Sequence, residues 1–204
     1  MKNWGAAGLL FSVLILTNWL SLLLALLFHA RHGGLPFWAY LLALPLMSFC
    51  FTGLFILSHD ALHGTLVPGW PSMNRALGRL SFFLYAGLPF RKMRAAHQKH
   101  HDVPTTHEDP DSYFPGRPQL MRWYLKFMWT YASPSTLLFF SAALVLCQAL
   151  GVATLDFFFL WALPALLSSF QFFYFGTYRP HRPPAAFLNR ECAVDHGWSF
   201  GPPF

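Results

Sequence analysis

Apolar and polar positions in this chain are segregated into blocks. Residues 9–28 form a run of twenty without a charge, and residues 37–57 a second of twenty-one. At ~1.5 Å of rise per residue, either run crosses a ~30 Å hydrocarbon layer as a helix. A shorter apolar run covers 134–151 and a very aromatic one covers 157–175. Pro134 and the 151–156 break between those runs predict a helical hairpin. Residues 77–90 are apolar but only fourteen long, which suits a re-entrant or interfacial helix. Residues 91–101 read as a polar helix that Pro104 and the turn-rich 105–110 stretch terminate. Residues 121–131, "MRWYLKFMWTY", mix aromatics with basic residues, as a helix at the lipid headgroups does. "GTLVPGWP", residues 64–71, is a loop.

The pattern predicts an all-α, polytopic membrane bundle of about four transmembrane helices with a histidine-rich cap, built as one domain over 1–204. Composition agrees: 55% of residues are hydrophobic, 19% aromatic and 11% charged, against ~25% charged in soluble domains. The first run exceeds the ~7–15 residues of a signal-peptide core and no small-residue cleavage site follows, so it reads as a retained helix.

Charge adds an orientation. Between Ser58 and Ser133 there are nine Lys or Arg, and the stretch after Phe175 holds Arg179, Arg182 and Arg190. The loop at 29–36 has only Arg31, and the loop between the last two runs has none. The positive-inside rule then puts the long polar segment and both termini in the cytoplasm. The net charge of +6 is a topology signal and not a nucleic-acid footprint, because its residues flank apolar helices. Cys50 and Cys147 lie inside apolar runs, Cys192 lies near the C-terminus, and there is no CxxC.

The chemistry is concentrated in two short segments. "HDALH" sets His59 and His63 at i and i+4, and "HQKHH" sets His97, His100 and His101 at i, i+3 and i+4. On a helix each group shares one face. Both groups emerge at the same membrane surface, so they can converge on metal. A catalytic zinc takes three protein ligands; five or more imidazoles suit two iron ions better. "HDALH" departs from the HExxH protease pattern by placing Asp60 where Glu stands. Asp60, Asp102, Glu108, Asp109 and Asp111 offset the local cations, either as ligands or by fixing imidazole tautomers; loop and turn chemistry is the alternative. His29 and His32 read as ordinary surface histidines on the opposite side.

The HxxxH and HxxHH spacing resembles the membrane fatty acid desaturase and hydroxylase superfamily. Within it, "LSHDALHGTLVPGWP", "LYAGLPFRKMRAAHQKHHDVPTTHEDPDSYF", "RWYLKF" and "FGTYRPHRP" are similar to bacterial β-carotene ketolases, over about 51–183. The resemblance implies a centre of two non-haem iron ions, O2 as co-substrate and a ferredoxin or reductase as electron donor. It implies oxidation of the C4 methylene of a β-ionone ring of β-carotene, giving echinenone and then canthaxanthin. Two hydroxylations at one carbon give a geminal diol, whose loss of water leaves the ketone. The carotenoid arrives from the bilayer, and the setting is a bacterial inner membrane. His59, His63, His97, His100 and His101 match the family's iron ligands, His181 in "YRPHRP" matches a further family histidine, and Asp109 and Asp111 match its acidic pair, which is expected to be catalytic.

One departure stands out. The family carries a third HxxHH box after the "PHRP" block, whereas this chain reads "AAFLNRECAVDHGWSFGPPF" with His196 alone. The expectation is a chain truncated or divergent after about residue 190, with loss of activity as one consequence. The spacing of His107, His181 and His196 gives no helical face that replaces the box. Two other readings remain: a lipid or carotenoid desaturase or hydroxylase, and a non-catalytic metal- or carotenoid-binding membrane protein.

Overall fold

The computed structural model describes residues 4–113 and 119–181. The described residues form α1 (Trp4–Gly33), α2 (Phe37–His63), α3 (Pro71–Ala86), α4 (Phe90–Asp102), α5 (Leu120–Tyr131), α6 (Pro134–Ala149) and α7 (Thr154–His181). No strand occurs among them. In hydrocarbon the backbone must bond to itself, which is why unbroken helices are the solution for the long runs. α1, α2 and α7 are each long and apolar enough to cross a membrane.

The third expected span, 134–151, takes a different form. α6 has 16 residues, ~24 Å of helix, and is short of a full crossing. It joins α5 at an 89° bend, and only the bent pair together meets the requirement of a span. Ala132, Ser133 and Pro134 make the corner, because proline cannot continue the hydrogen-bond ladder of α5. The last apolar run does not stop at 175: α7 continues to His181, with π-helical stretches at Phe158–Ala162 and Phe173–Tyr178. α3 begins at Pro71, six residues before the expected start, with proline at its first turn where no N–H is needed.

The core lies between α1, α2, α3 and α7. Trp19, Leu23, Met47, Phe51, Leu54, Tyr85 and Ala165 are buried together, and Trp19 meets Phe51 edge-on at 5.6 Å. Leu10, Phe11, Leu14, Leu24 and Phe28 on the other face of α1 are exposed, as a lipid-facing surface requires. Polar pins tie α2 to α7: Thr52 lies 3.2 Å from the Ser168 hydroxyl and donates to Gln171 at 3.3 Å, and Tyr40 donates to Asp156 at the opposite end.

Close approach of α2 and α3 depends on Gly78. A Cβ there would sit 2.5 Å from the Ala61 Cβ and 2.6 Å from the Phe90 ring. Gly87, at φ 62°, caps α3 in the left-handed region and lets the chain turn directly into α4. Both glycines serve one geometric end: they bring α4 across the last turn of α2.

Candidate metal centre

The last turn of α2 carries His59 and His63, and Gly64 ends the helix at φ 76°. α4 meets that turn with its histidine face. The His97 ring lies 4.7 Å from both His59 and His63, and His101 lies 4.6 Å from His97 and 5.1 Å from His63. Nε2 of His97 stands 2.9 Å from Nε2 of His63 and 3.1 Å from Nε2 of His101. One ring nitrogen from each of His59, His63 and His97 falls within 4.8 Å of the others. These are the two clusters that sequence spacing aligned separately, now merged.

The donor set fits a transition metal. His97 Nε2 faces two other imidazole nitrogens at hydrogen-bond distance but carries at most one proton, and neutral imidazoles converging on one point are metal-ligand chemistry. Protonation of His97 is opposed first by burial and then by the charges of His59, His101, His63 and His100, which push its pKa down to about 3. The ring therefore stays neutral, as a ligand must.

A second group adjoins the first. The His100 ring is 5.5 Å from His101 and 5.3 Å from His181. His100 Nδ1 donates to Asp109 at 3.0 Å, and His181 Nδ1 donates to the Thr177 carbonyl at 2.7 Å. Each bond leaves Nε2 unprotonated and able to take a metal, the arrangement by which outer partners fix tautomer and ring orientation. The bond to Asp109 raises the His100 pKa, against burial. Burial works to raise the Asp109 carboxyl, but bonds from His100, the Asp111 and Thr105 N–H groups and the Ser112 hydroxyl outweigh it and hold it at about 2. Asp111 is lifted by burial, which outweighs the Tyr131 bond.

The loop bearing the two carboxylates is latched onto α5. Lys126 donates to the Pro110 carbonyl and, at 2.8 Å, to that of Ser112. Trp123 Nε1 donates to the Asp111 carbonyl at 2.7 Å, and the Tyr131 hydroxyl donates to the Asp111 carboxylate. The residue pattern of α5 signals a headgroup helix and conceals this latch. Thr105 contributes an N–H to Asp109 at 2.8 Å from an unusual φ of 61°.

Not every candidate joins. Asp102 accepts from Gln98 at 2.9 Å and Glu108 pairs with Lys99 at 3.3 Å, both on the solvent side. Asp60 lies 3.4 Å from Nδ1 of its neighbour His59. His107 is exposed in the turn after α4. His196 and the expected divergence after 190 lie outside the described residues.

A cavity of about 510 Å³ opens from the histidines into the helices. His59, His97, Asp111 and Tyr131 line its polar end; Phe55, Phe82, Phe127 and Phe172 line its middle, and Phe140, Phe158 and Ala162 its deep end. Along α7 the lining runs from Phe158 to Thr177, ~28 Å of helix. The π-helical stretches supply lining residues at both ends: Phe158 and Ala162, then Gly176 and Thr177. Such bulges recur at functional sites because they re-aim side chains.

The fatty acid desaturase family matches residues 35–140, which hold both helices of the first histidine group. The chain belongs to the fatty acid desaturase family. Within the family it groups with the β-carotene ketolases. A β-carotene ketolase of Paracoccus sp. (strain N81106 / MBIC 01143) is 40% identical over 179 residues, covering 87% of this chain and 72% of that protein. A second, from Paracoccus sp. (strain PC1), is 39% identical and covers 83% of this chain and 68% of its own. A β-carotene ketolase of Haematococcus lacustris is 36% identical over 69% of this chain and 45% of its own. No solved structure matches. This desaturase-family protein thus carries its histidines where an integral membrane helix meets a polar cap, above an apolar cavity.

Proposed function

We propose that the chain is an O2-dependent membrane oxygenase, a carotenoid 4-ketolase that converts the C4 methylene of a β-ionone ring of β-carotene to a ketone. One observation carries the reading: His59 and His97 line the polar end of an apolar cavity whose walls descend along α2 and α7. A polyene enters such a space without leaving the hydrocarbon, and its ring comes to rest beside the imidazoles. The name shared by the similar proteins supplies the substrate class.

His59, His63, His97, His100, His101 and His181 are the residues that would hold two iron ions. When bound, iron supplies O2 activation and the oxidising power for an allylic C–H bond. Each hydroxylation consumes one O2, two electrons and two protons, inserts one oxygen into C–H and releases one water. Two rounds give the geminal diol, which loses water to the ketone. Electrons come from a ferredoxin or reductase.

The protein's own contribution is positional. Phe55, Phe82 and Phe172 exclude water and align the polyene, which places one methylene at the polar end. Asp109 orients His100. The Tyr131 hydroxyl donates to Asp111 at the cavity edge, where diol dehydration needs a proton moved. The basic residues between α2 and α5 support an inner-membrane orientation with the histidine cap and both termini cytoplasmic. The chain acts as one desaturase-like unit over 1–204.

The test is pigment analysis in a β-carotene-producing bacterium that expresses this chain. Echinenone and canthaxanthin are expected, with two irons per purified chain. Unchanged β-carotene, with the protein present in the membrane, sinks the ketolase reading.

A further inference from the structure

The histidine cluster has a second approach, next to the apolar cavity and distinct from it in lining. A cleft of about 240 Å³ is lined by His63, Val67, Asn74, Arg75 and Arg94, where the end of α2 meets α3 and α4. The apolar cavity is reached by His59 and His97 and this cleft by His63. The two spaces adjoin at Leu62, which lines both, and they take different histidines of one cluster.

The cleft is rigid. Asn74, 3% exposed, donates to the Ala61 carbonyl at 2.8 Å and accepts from the Val67 N–H at 3.2 Å. It pins the loop after α2 to both helices. The charged side chains that line it, Arg75 and Arg94, are both cationic. Residues 64–101 contain Arg75, Arg79, Arg91, Lys92, Arg94 and Lys99 and no Asp or Glu. Lys92 is spent on the carbonyls of Tyr131 and Ala132, and Lys99 on Glu108. Arg75, Arg79, Arg91 and Arg94 are exposed, and no carboxylate among the described residues pairs with them.

We infer that this cleft is the docking site of an acidic, one-electron iron–sulfur carrier, with the His63 edge as the point of electron entry. The inference rests on the oxygenase reading above. Each reduced carrier gives up one electron and leaves oxidised, and two deliveries serve each O2. Charge complementarity selects an acidic partner and speeds its encounter. An anionic lipid headgroup would gain from the arginines, but it gains nothing from an imidazole that belongs to the cluster and opens onto the cleft. Approach through this cleft also leaves the apolar cavity filled by substrate while electrons arrive.

The full chain in phosphatidylcholine nanodiscs, titrated with an acidic [2Fe–2S] ferredoxin at low and high salt, tests this. Binding is expected, weakening with salt. Arg75→Glu with Arg94→Glu should weaken it by about tenfold or more, since surface charge governs the encounter. The milder Arg75→Gln with Arg94→Gln pair should fall between, and Arg122→Glu on α5 should change it by less than about twofold. Affinity unmoved by the double reversal, in protein with parental melting and iron content, overturns the inference. So does a double reversal that lowers only binding to phosphatidylglycerol-rich vesicles, which would make the cleft a lipid site. Iron assayed in parallel separates the two readings: arginine-dependent ferredoxin binding by a chain that holds no iron supports the docking site and removes the oxygenase.

Discussion

His100 and Asp109 are joined at 3.0 Å, and Asp109 is itself 3% exposed and held by the N–H groups of Thr105 and Asp111 and by the Ser112 hydroxyl. The carboxylate is saturated with donors, so it acts as a fixed anvil for the imidazole and not as a ligand. Asp109→Ala frees the His100 ring and orphans three donors. Iron affinity should fall about 10–100-fold, read by metal titration of the purified variant. Iron binding equal to the parent's would remove Asp109 from this role.

His97 is the shared member of the first cluster, with Nε2 atoms of His63 and His101 at 2.9 and 3.1 Å. His97→Ala should therefore leave β-carotene unconverted in a producing host and lower iron per chain. Ketone formation by this variant would refute the ligand assignment.

Gly78 sets the spacing of α2 and α3. Gly78→Val drives its side chain into Ala61 and Phe90, where even a Cβ would stand at 2.5 and 2.6 Å. Overpacking of this kind costs about 1–3 kcal/mol, and it also moves α2 relative to α4. A lower melting temperature together with reduced iron loading is expected. Parental values for both would show that the contact yields freely.

Asn74 can be separated from charge. Asn74→Ala leaves the Val67 N–H and the Ala61 carbonyl without their partner, at a cost of about 1–3 kcal/mol for each group left buried and unsatisfied. Thermal denaturation in detergent measures it. A melting point equal to the parent's would mean that water replaces the amide.

Ala162 lines the deep end of the apolar cavity, far from the histidines. Ala162→Phe should shorten the space for the polyene without touching the metal residues. Conversion of β-carotene should drop by about tenfold or more, with iron content unchanged and a shorter single-ring substrate still oxidised. Equal loss on both substrates would place the effect elsewhere.

Much of the site was legible in the sequence, because helical periodicity is a local property. His59 with His63, and His97 with His100 and His101, share faces for reasons internal to each segment. The family resemblance was legible too, and it named His181, Asp109 and Asp111, which the structure brings beside His100. The latch made by Trp123, Lys126 and Tyr131 was not legible, since nothing within α5 says that its polar atoms reach the loop at 110–112. Asn74 falls between the predicted loop at 64–71 and the apolar segment at 77–90, and nothing in the sequence marks its bonds to Ala61 and Val67.

Sequence alone determined the apolar runs, their helical state and the two histidine faces: hydrophobic length and 3.6-residue periodicity act through neighbours in the chain. Pro134 sets the corner between α5 and α6 locally, whereas tertiary structure decided that α7 carries His181 to the cluster. It also decided that His59 and His97 face the apolar cavity while His63 faces a basic cleft. Those outcomes depend on how closely α2, α3 and α4 approach at Gly78, and on which buried donors find acceptors across elements. Both are properties of packed surfaces distant in sequence, and no single segment encodes them.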